Sequence, residues 1–300
     1  MKNNYKASFE RGEYDKALQQ CLGLLDSVHD PNERAELEYY IGKCYYKKEN
    51  FKEALEFYER VLINSKGKNA SLESNCYNEM GSVFYKERKL DQAIKYINYA
   101  MDCAEPNSMD EALAYNNMGR IFYQRKEYPM AQFYFQYSLV IKKKNIPLDD
   151  LEMSVSYNNL GLVYMELGVF DKALRYLEVS LSIRIKKMQY DHPDIGTTYN
   201  NIALIYLRMN KYDDAREAFN KALEIRINTL GEQHLDTLMT YYGIGMMYFR
   251  MEEYRTAYKV YEHVVHILSK NNEIDRINAM GILSEMNKCE KKIEEFTSLI

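Results

Sequence analysis

Tyr199-Asn-Asn-Ile-Ala203-Leu-Ile-Tyr206-Leu-Arg-Met-Asn210-Lys-Tyr212-Asp-Asp-Ala215-Arg-Glu-Ala-Phe219 is the stretch that decides the fold. Tyr199, Ile202, Ala203 and Tyr206 fall on one helical stripe, Asn210 breaks the pattern, and Tyr212, Ala215 and Phe219 open a second stripe. This predicts two antiparallel helices closed where two small residues, twelve apart, let the backbones approach. Outward from it the arrangement recurs. Small residues stand at Gly42, Gly81, Gly119, Gly161, Ala203 and Gly245, each followed twelve residues later by alanine (Ala54, Ala93, Ala131, Ala173, Ala215, Ala257). The intervals between these anchors are 39, 38, 42, 42 and 42 residues. Since the twelve never changes, the inter-repeat loop absorbs the variation and packing fixes the hairpin. Self-similarity at such a period marks a solenoid, whose units are stable only when stacked.

Composition fits an ordered, helix-rich chain: 46% hydrophobic residues, 28% charged and 5 prolines in 300. The net charge of -4 is evenly spread, with 22 basic and 23 acidic side chains in residues 1–150 and 18 and 21 in the rest. That balance argues against nucleic acid, which calls for clustered basic charge. No apolar run is long enough to span a bilayer and the N-terminus does not begin a secretory signal, so no membrane partner and a cytoplasmic location are expected. The five cysteines are odd in number and form no C-x-x-C pair, which indicates neither a disulfide framework nor a zinc site; Cys44 reads as a small core residue.

A small residue, an aromatic three later and an alanine twelve later resembles the tetratricopeptide repeat (TPR) family. The segment Ser182-Ile-Arg-Ile-Lys-Lys-Met-Gln-Tyr-Asp-His-Pro-Asp-Ile-Gly-Thr-Thr-Tyr-Asn-Asn-Ile-Ala203 is similar to the kinesin light chain subtype, with its I-R-x-K, D-H-P-D and Y-N-N-x-A runs. The heptad coiled coil of a complete light chain is missing. The resemblance implies an all-α fold, a right-handed α-solenoid of stacked antiparallel helix pairs. Six full repeats and a partial N-terminal one, anchored at Tyr5, are expected over residues 1–270. A capping helix is expected over 271–300, with Ile274, Ile277, Leu283, Met286, Cys289 and Ile293 on its apolar side.

At 100° per residue the anchor stripe and the apolar residue two after each anchor bury the first helix on two sides. The arc left open holds positions six, three and two before the anchor and one, four and five after it, and stacking lines these up along a concave wall. Early units offer Lys43, Tyr46, Lys47, Lys86, Tyr85, Asn116, Asn117, Arg120 and Tyr123; later ones offer Asn158, Asn159, Leu162, Met165, Asn200, Asn201, Leu204, Leu207, Arg208, Phe249 and Arg250. Asparagine supplies a donor and an acceptor, so a ladder of them can pair with an extended peptide backbone, or can bridge neighbouring repeats instead. The expected site therefore binds a partner segment carrying acidic and apolar residues, with Lys43, Lys47, Lys86 and Arg120 favouring the acidic ones. In kinesin-light-chain-like repeats, the resemblance implies, the matching asparagines face peptide cargo.

No phosphate loop, nucleophile elbow or H-E-x-x-H occurs, so no enzyme activity, catalytic residue, metal or cofactor is expected. His263 and His266 stand three apart on a helix but have no third ligand nearby in sequence. His192 and His234 recur in equivalent loops and read as helix-entry contacts, and Lys142-Lys143-Lys144 as charges suiting a helix end. The expected function is a monomeric, non-catalytic adaptor or scaffold. A peptide-responsive sensor that changes superhelical pitch, or a module self-associating through its ends, are the alternatives.

Overall fold

A computed structural model describes residues 4–65, 67–270 and 276–298. The described residues form helices and connecting turns, without strands. They gather into two compact units, residues 1–148 and 149–300. The first holds α1 (Asn4–Glu10), α2 (Tyr14–Leu25), α3 (Pro31–Lys47), α4 (Phe51–Ser65), α5 (Ala70–Lys86), α6 (Leu90–Cys103), α7 (Met109–Gln124) and α8 (Tyr128–Asn145). The second holds α9 (Leu151–Glu166), α10 (Phe170–Lys187), α11 (Pro193–Arg208), α12 (Tyr212–Leu230), α13 (Leu235–Arg250), α14 (Tyr254–Lys270) and α15 (Arg276–Ser298). Each pair α3/α4, α5/α6, α7/α8, α9/α10, α11/α12 and α13/α14 packs as a hairpin, and within each unit successive hairpins stack, so the fold is the all-α TPR solenoid.

The first helix of each hairpin begins on a side-chain cap, which satisfies backbone N–H groups that have no intrahelical partner. Asp30, Asn69, Ser108 and Asp150 accept through oxygen. His192 and His234 accept through Nδ1, each at 3.2 Å, from the amides of Asp194 and Asp236. The helix-entry reading of these histidines is thus what the structure shows.

The turn inside each hairpin puts the residue seven after the anchor into the left-handed region: Glu49, Arg88, Lys126, Gly168, Asn210 and Glu252, at φ between 58° and 74°. The following amide then donates to the carbonyl five residues back, from Asn50 to Tyr45, Lys89 to Phe84, Glu127 to Phe122, Val169 to Tyr164, Lys211 to Tyr206 and Glu253 to Tyr248, at 2.9–3.0 Å. This is a Schellman closure. Four of the six residues are neither glycine nor asparagine, so the sequence marks the break only at Gly168 and Asn210.

The anchors are small for a sharper reason than expected. A Cβ at Gly42, Gly81, Gly119, Gly161 or Gly245 would sit 2.4–2.7 Å from Tyr58, Ile97, Phe135, Leu177 or Tyr261, the side chain sixteen residues on. At Gly81 and Gly161 the carbonyl of the paired alanine is also close, at 3.4 and 3.3 Å. Ala203 breaks the rule. Its partner Phe219 lies instead where a Cβ on Gly243 would come within 2.7 Å, so a glycine of the next repeat accepts the ring.

Polar clamps brace each hairpin and join successive ones. Within a hairpin, Ser74 Oγ donates to Ala100 O, Ser138 Oγ to Ala112 O and Ser180 Oγ to Ser154 O, at 2.7–2.8 Å. In the second unit Arg184 is buried and donates to Asp194 O and Thr198 Oγ1, both at 2.7 Å. Arg226 likewise donates to Asp236 O, Thr240 Oγ1 and Thr197 Oγ1. Burial pushes both guanidinium pKa values down, opposed by Asp194 and Asp236. Lys142 occupies the equivalent place and is only 4% exposed, so it is buried in the stack, while Lys143 and Lys144 stay exposed in the last turn of α8, as a helix-end run should, with Lys144 donating to Asn107 Oδ1.

At the N-terminus Tyr5 is buried as the partial repeat requires, while residues 1–3, where its helix was expected to begin, lie outside those described. At the other end α15 packs Ile282, Met286 and Cys289 on α14. Leu283, expected on that side, is 43% exposed, and Ile274 lies outside the described residues. Cys44 is fully buried, as its core assignment demands.

Candidate functional site

In the first unit the positions expected on the open arc of α3, α5 and α7 are covered to different degrees. Lys47 and Lys86 are exposed. Lys43 is partly covered, its ammonium 4.7 Å from the centre of the Phe9 ring and 5.3–5.4 Å from those of Tyr40 and Tyr39. The Arg120 guanidinium lies 4.7 Å over Tyr85 and donates to Asn117 Oδ1 at 3.4 Å. Tyr46 packs on Phe51 and Tyr123 on Tyr128. An open groove of about 450 Å³ lies toward the N-terminal ends of α3 and α5, lined among others by Asp30, Glu33, Glu36, Tyr39, Tyr40 and Asn75.

Among these cations stands Glu79, which the sequence reading passed over. It occupies the position two before Gly81, where the next three repeats carry asparagine. Burial raises its pKa, while Lys43, Lys47, a hydrogen bond from Tyr39 and Arg120 pull the other way. The basic wall therefore contains its own carboxylate.

The asparagines divide. Asn117 Nδ2 donates to Asn78 Oδ1 at 3.2 Å and Asn201 Nδ2 to Asn158 Oδ1 at 3.1 Å, each pair linking one repeat to the next. Asn116, Asn117, Asn158 and Asn201 are only 7–8% exposed. The residue three before one anchor thus meets the residue two before the following anchor. The ladder stops at Asn200: the matching position in the next repeat is Gly243, and Asn200 Oδ1 is enclosed without a partner. Asn159 and Asn200 remain partly exposed.

On the second unit's wall Leu162, Leu204 and Met246, each directly after its anchor, are half-buried. Phe249 packs edge-on against Tyr254 at 5.2 Å. Arg208 donates to Met165 O at 3.2 Å and pairs with Glu166 at 2.8 Å, and Arg250 donates to Leu207 O at 3.1 Å. Both arginines thus tie repeat to repeat while keeping an exposed flank. Met165 and Leu207, expected on the open arc, are buried at 4% and 1% exposure, because the stacked neighbour covers that position.

No group of three metal-ligating side chains occurs among the described residues. His263 instead meets Glu232 at 3.1 Å and stacks edge-on against Tyr241.

Stacked helix hairpins with a lined inner wall define a class of repeat scaffolds. A tetratricopeptide repeat model matches residues 152–228 and again 194–270, and the SusR N-terminal TPR domain model matches residues 2–106. The chain belongs to the tetratricopeptide repeat family. No curated protein sequence matches it. Among solved structures, the kinesin light chain TPR-like repeats of Podosopora anserina align at TM-score 0.57 and 16% identity, covering 69% of this chain and 100% of that one. BtubC (BKLC) from P. vanneervenii aligns at 0.61 and 21%, covering 73% and 91%. Cut9–Hcn1 of the APC/C aligns at 0.72 and 19%, covering 95% of this chain and 48% of that one. At these identities the likeness is one of fold.

Proposed function

We propose that the chain is a non-catalytic adaptor whose inner walls hold segments of a partner protein, acidic side chains against the first unit and apolar ones against the second. One observation carries this reading. Leu162, Leu204 and Met246 repeat a half-exposed apolar side chain at the pitch of the stack, beside amides and arginines already fixed by their own hydrogen bonds. A wall pre-organised in this way loses little conformational entropy on binding. In the first unit Lys47 and Lys86 add exposed positive charge at the matching place in two successive repeats.

The pairing of Asn158 with Asn201 changes the choice of test, because removing those amides damages the stack as well as the wall. A displayed random-peptide library selected on the folded chain avoids this, with Leu162→Glu/Leu204→Glu and Lys47→Glu/Lys86→Glu as comparison variants. Enriched peptides lose at least tenfold in affinity for one variant or the other. Selection that yields nothing, or peptides indifferent to both variants, rejects the proposal.

A further inference from the structure

The helix α15, expected as a cap, keeps the register of the first helices before it. Forty-two residues beyond Gly245 stands Asn287. Ile282 and Cys289, five before and two after it, are buried, as are the residues at those two places in all six anchored repeats. Leu283 and Glu290 stand four before and three after, where other repeats pack aromatics such as Tyr77 and Phe84 on the second helix of their own hairpin, and both are exposed.

A second correspondence gives the same register. Tyr39 and Tyr58, three before and sixteen after Gly42, pack with ring centres 6.1 Å apart beside Glu79 of the next first helix. Tyr242 and Tyr261, three before and sixteen after Gly245, pack at 5.7 Å beside Glu285 of α15. Glu79 stands two before Gly81 and Glu285 two before Asn287, and no other repeat carries this Tyr–Tyr–Glu set. Burial raises all four tyrosine pKa values and the glutamate adds to the shift in each case. The hydroxyls of Tyr58 and Tyr261 are both enclosed without a hydrogen-bond partner among the described residues.

With this register the open arc takes in Lys288, Lys291 and Lys292, one, four and five after Asn287. Lys288 and Lys291 are exposed and Lys292 is half-buried. Arg250 holds the place of Lys292 one repeat earlier, as Lys47 holds that of Lys86. Lys288 pairs with Glu285 and Lys292 with Glu295, each at 2.7 Å, which leaves a surplus of cations on the arc. We infer that α13 and α15 form a second anion-receiving wall, which takes an acidic segment of a partner protein beyond the apolar row of Leu204 and Met246. The inference deepens the adaptor reading and rests on it. Charge complementarity selects the occupant: a basic segment meets like charge, and an apolar one desolvates ammonium groups without pairing them.

A fluorescein-labelled oligoglutamate of about ten residues, titrated against the full chain in about 0.1 M salt, tests this where distant charges are screened. Two binding steps are expected. Lys288→Glu/Lys291→Glu abolishes or weakens one by about tenfold, and Lys47→Glu/Lys86→Glu does the same to the other, with circular dichroism unchanged. Arg175→Glu/Lys259→Glu, the same change of charge at exposed places on α10 and α14, alters neither. Absence of binding, binding that survives Lys288→Glu/Lys291→Glu intact, or an equal loss with Arg175→Glu/Lys259→Glu overturns the inference. A loss with Lys288→Glu/Lys291→Glu and none with Lys47→Glu/Lys86→Glu upholds it and rejects the acidic assignment of the first unit instead.

Discussion

Gly243→Ala probes the packing of the second unit at the point where its repeat rule is broken. The added Cβ would stand 2.7 Å from Phe219 Cε1 and 2.8 Å from Cζ, contacts that side-chain atoms do not tolerate. The ring is fully buried and belongs to a packed core, so it has to move against its neighbours. Overpacking of this kind costs about 1–3 kcal/mol. Alanine returns about 1 kcal/mol of helix propensity, leaving a net loss of up to about 2 kcal/mol. Gly281→Ala is the matched control: nothing lies within 4 Å of its would-be Cβ on α15, so the same substitution there stabilises by about 0.5–1 kcal/mol. The decisive variant adds Ala203→Gly to Gly243→Ala. It opens the space that every other anchor offers, and Phe219 can return to the standard position. Chemical denaturation of these variants and of Ala203→Gly alone should show the double mutant recovering at least 0.5 kcal/mol relative to additivity. If Gly243→Ala stabilises as much as Gly281→Ala, or the double mutant is additive, the exchange of anchors is not what positions Phe219.

Three further outcomes follow. Arg88→Gly relieves a left-handed backbone in a turn, and thermal melting should show a gain of about 0.5–1 kcal/mol. Arg226→Met strands Asp236 O and Thr240 Oγ1 in a buried clamp and should cost about 3 kcal/mol in urea unfolding, whereas exposed Arg175→Met should change little. Glu79 has a raised pKa, so its folded state prefers the proton, and stability is lost as pH rises through the folded value. Glu79→Gln should therefore be the more stable protein at pH 7, and its advantage should fade below the ordinary carboxylate range near 4.5; denaturation midpoints measured from pH 3 to 8 check the sign.

The hairpins were legible because their rule is local. A small residue, an alanine twelve on and an aromatic between them can be counted along the chain. What escaped depends on neighbours about forty residues away. Nothing in the run around Asn158 says that its amide meets Asn201, and Glu79 becomes notable only beside Lys43 and Arg120. Lys142 looks like a helix-end charge until the equivalent Arg184 and Arg226 are seen buried in clamps. The left-handed turns at Glu49, Arg88, Lys126 and Glu252 leave no residue signal, since backbone closure between packed helices imposes them. The lysines of α15 were visible as charges, yet only the burial of Ile282 and Cys289 beside them gives their register.

The central claim is that the inner walls, and not the outer faces, receive the partner. It is tested most directly by titrating a library-selected peptide against the chain, Leu162→Glu/Leu204→Glu on the inner wall, and Arg175→Glu on the outer face of α10. The account predicts at least a tenfold loss of affinity for the inner variant, about 1.4 kcal/mol, and none for the outer one. Equal affinity for all three, or a loss confined to Arg175→Glu, would contradict it.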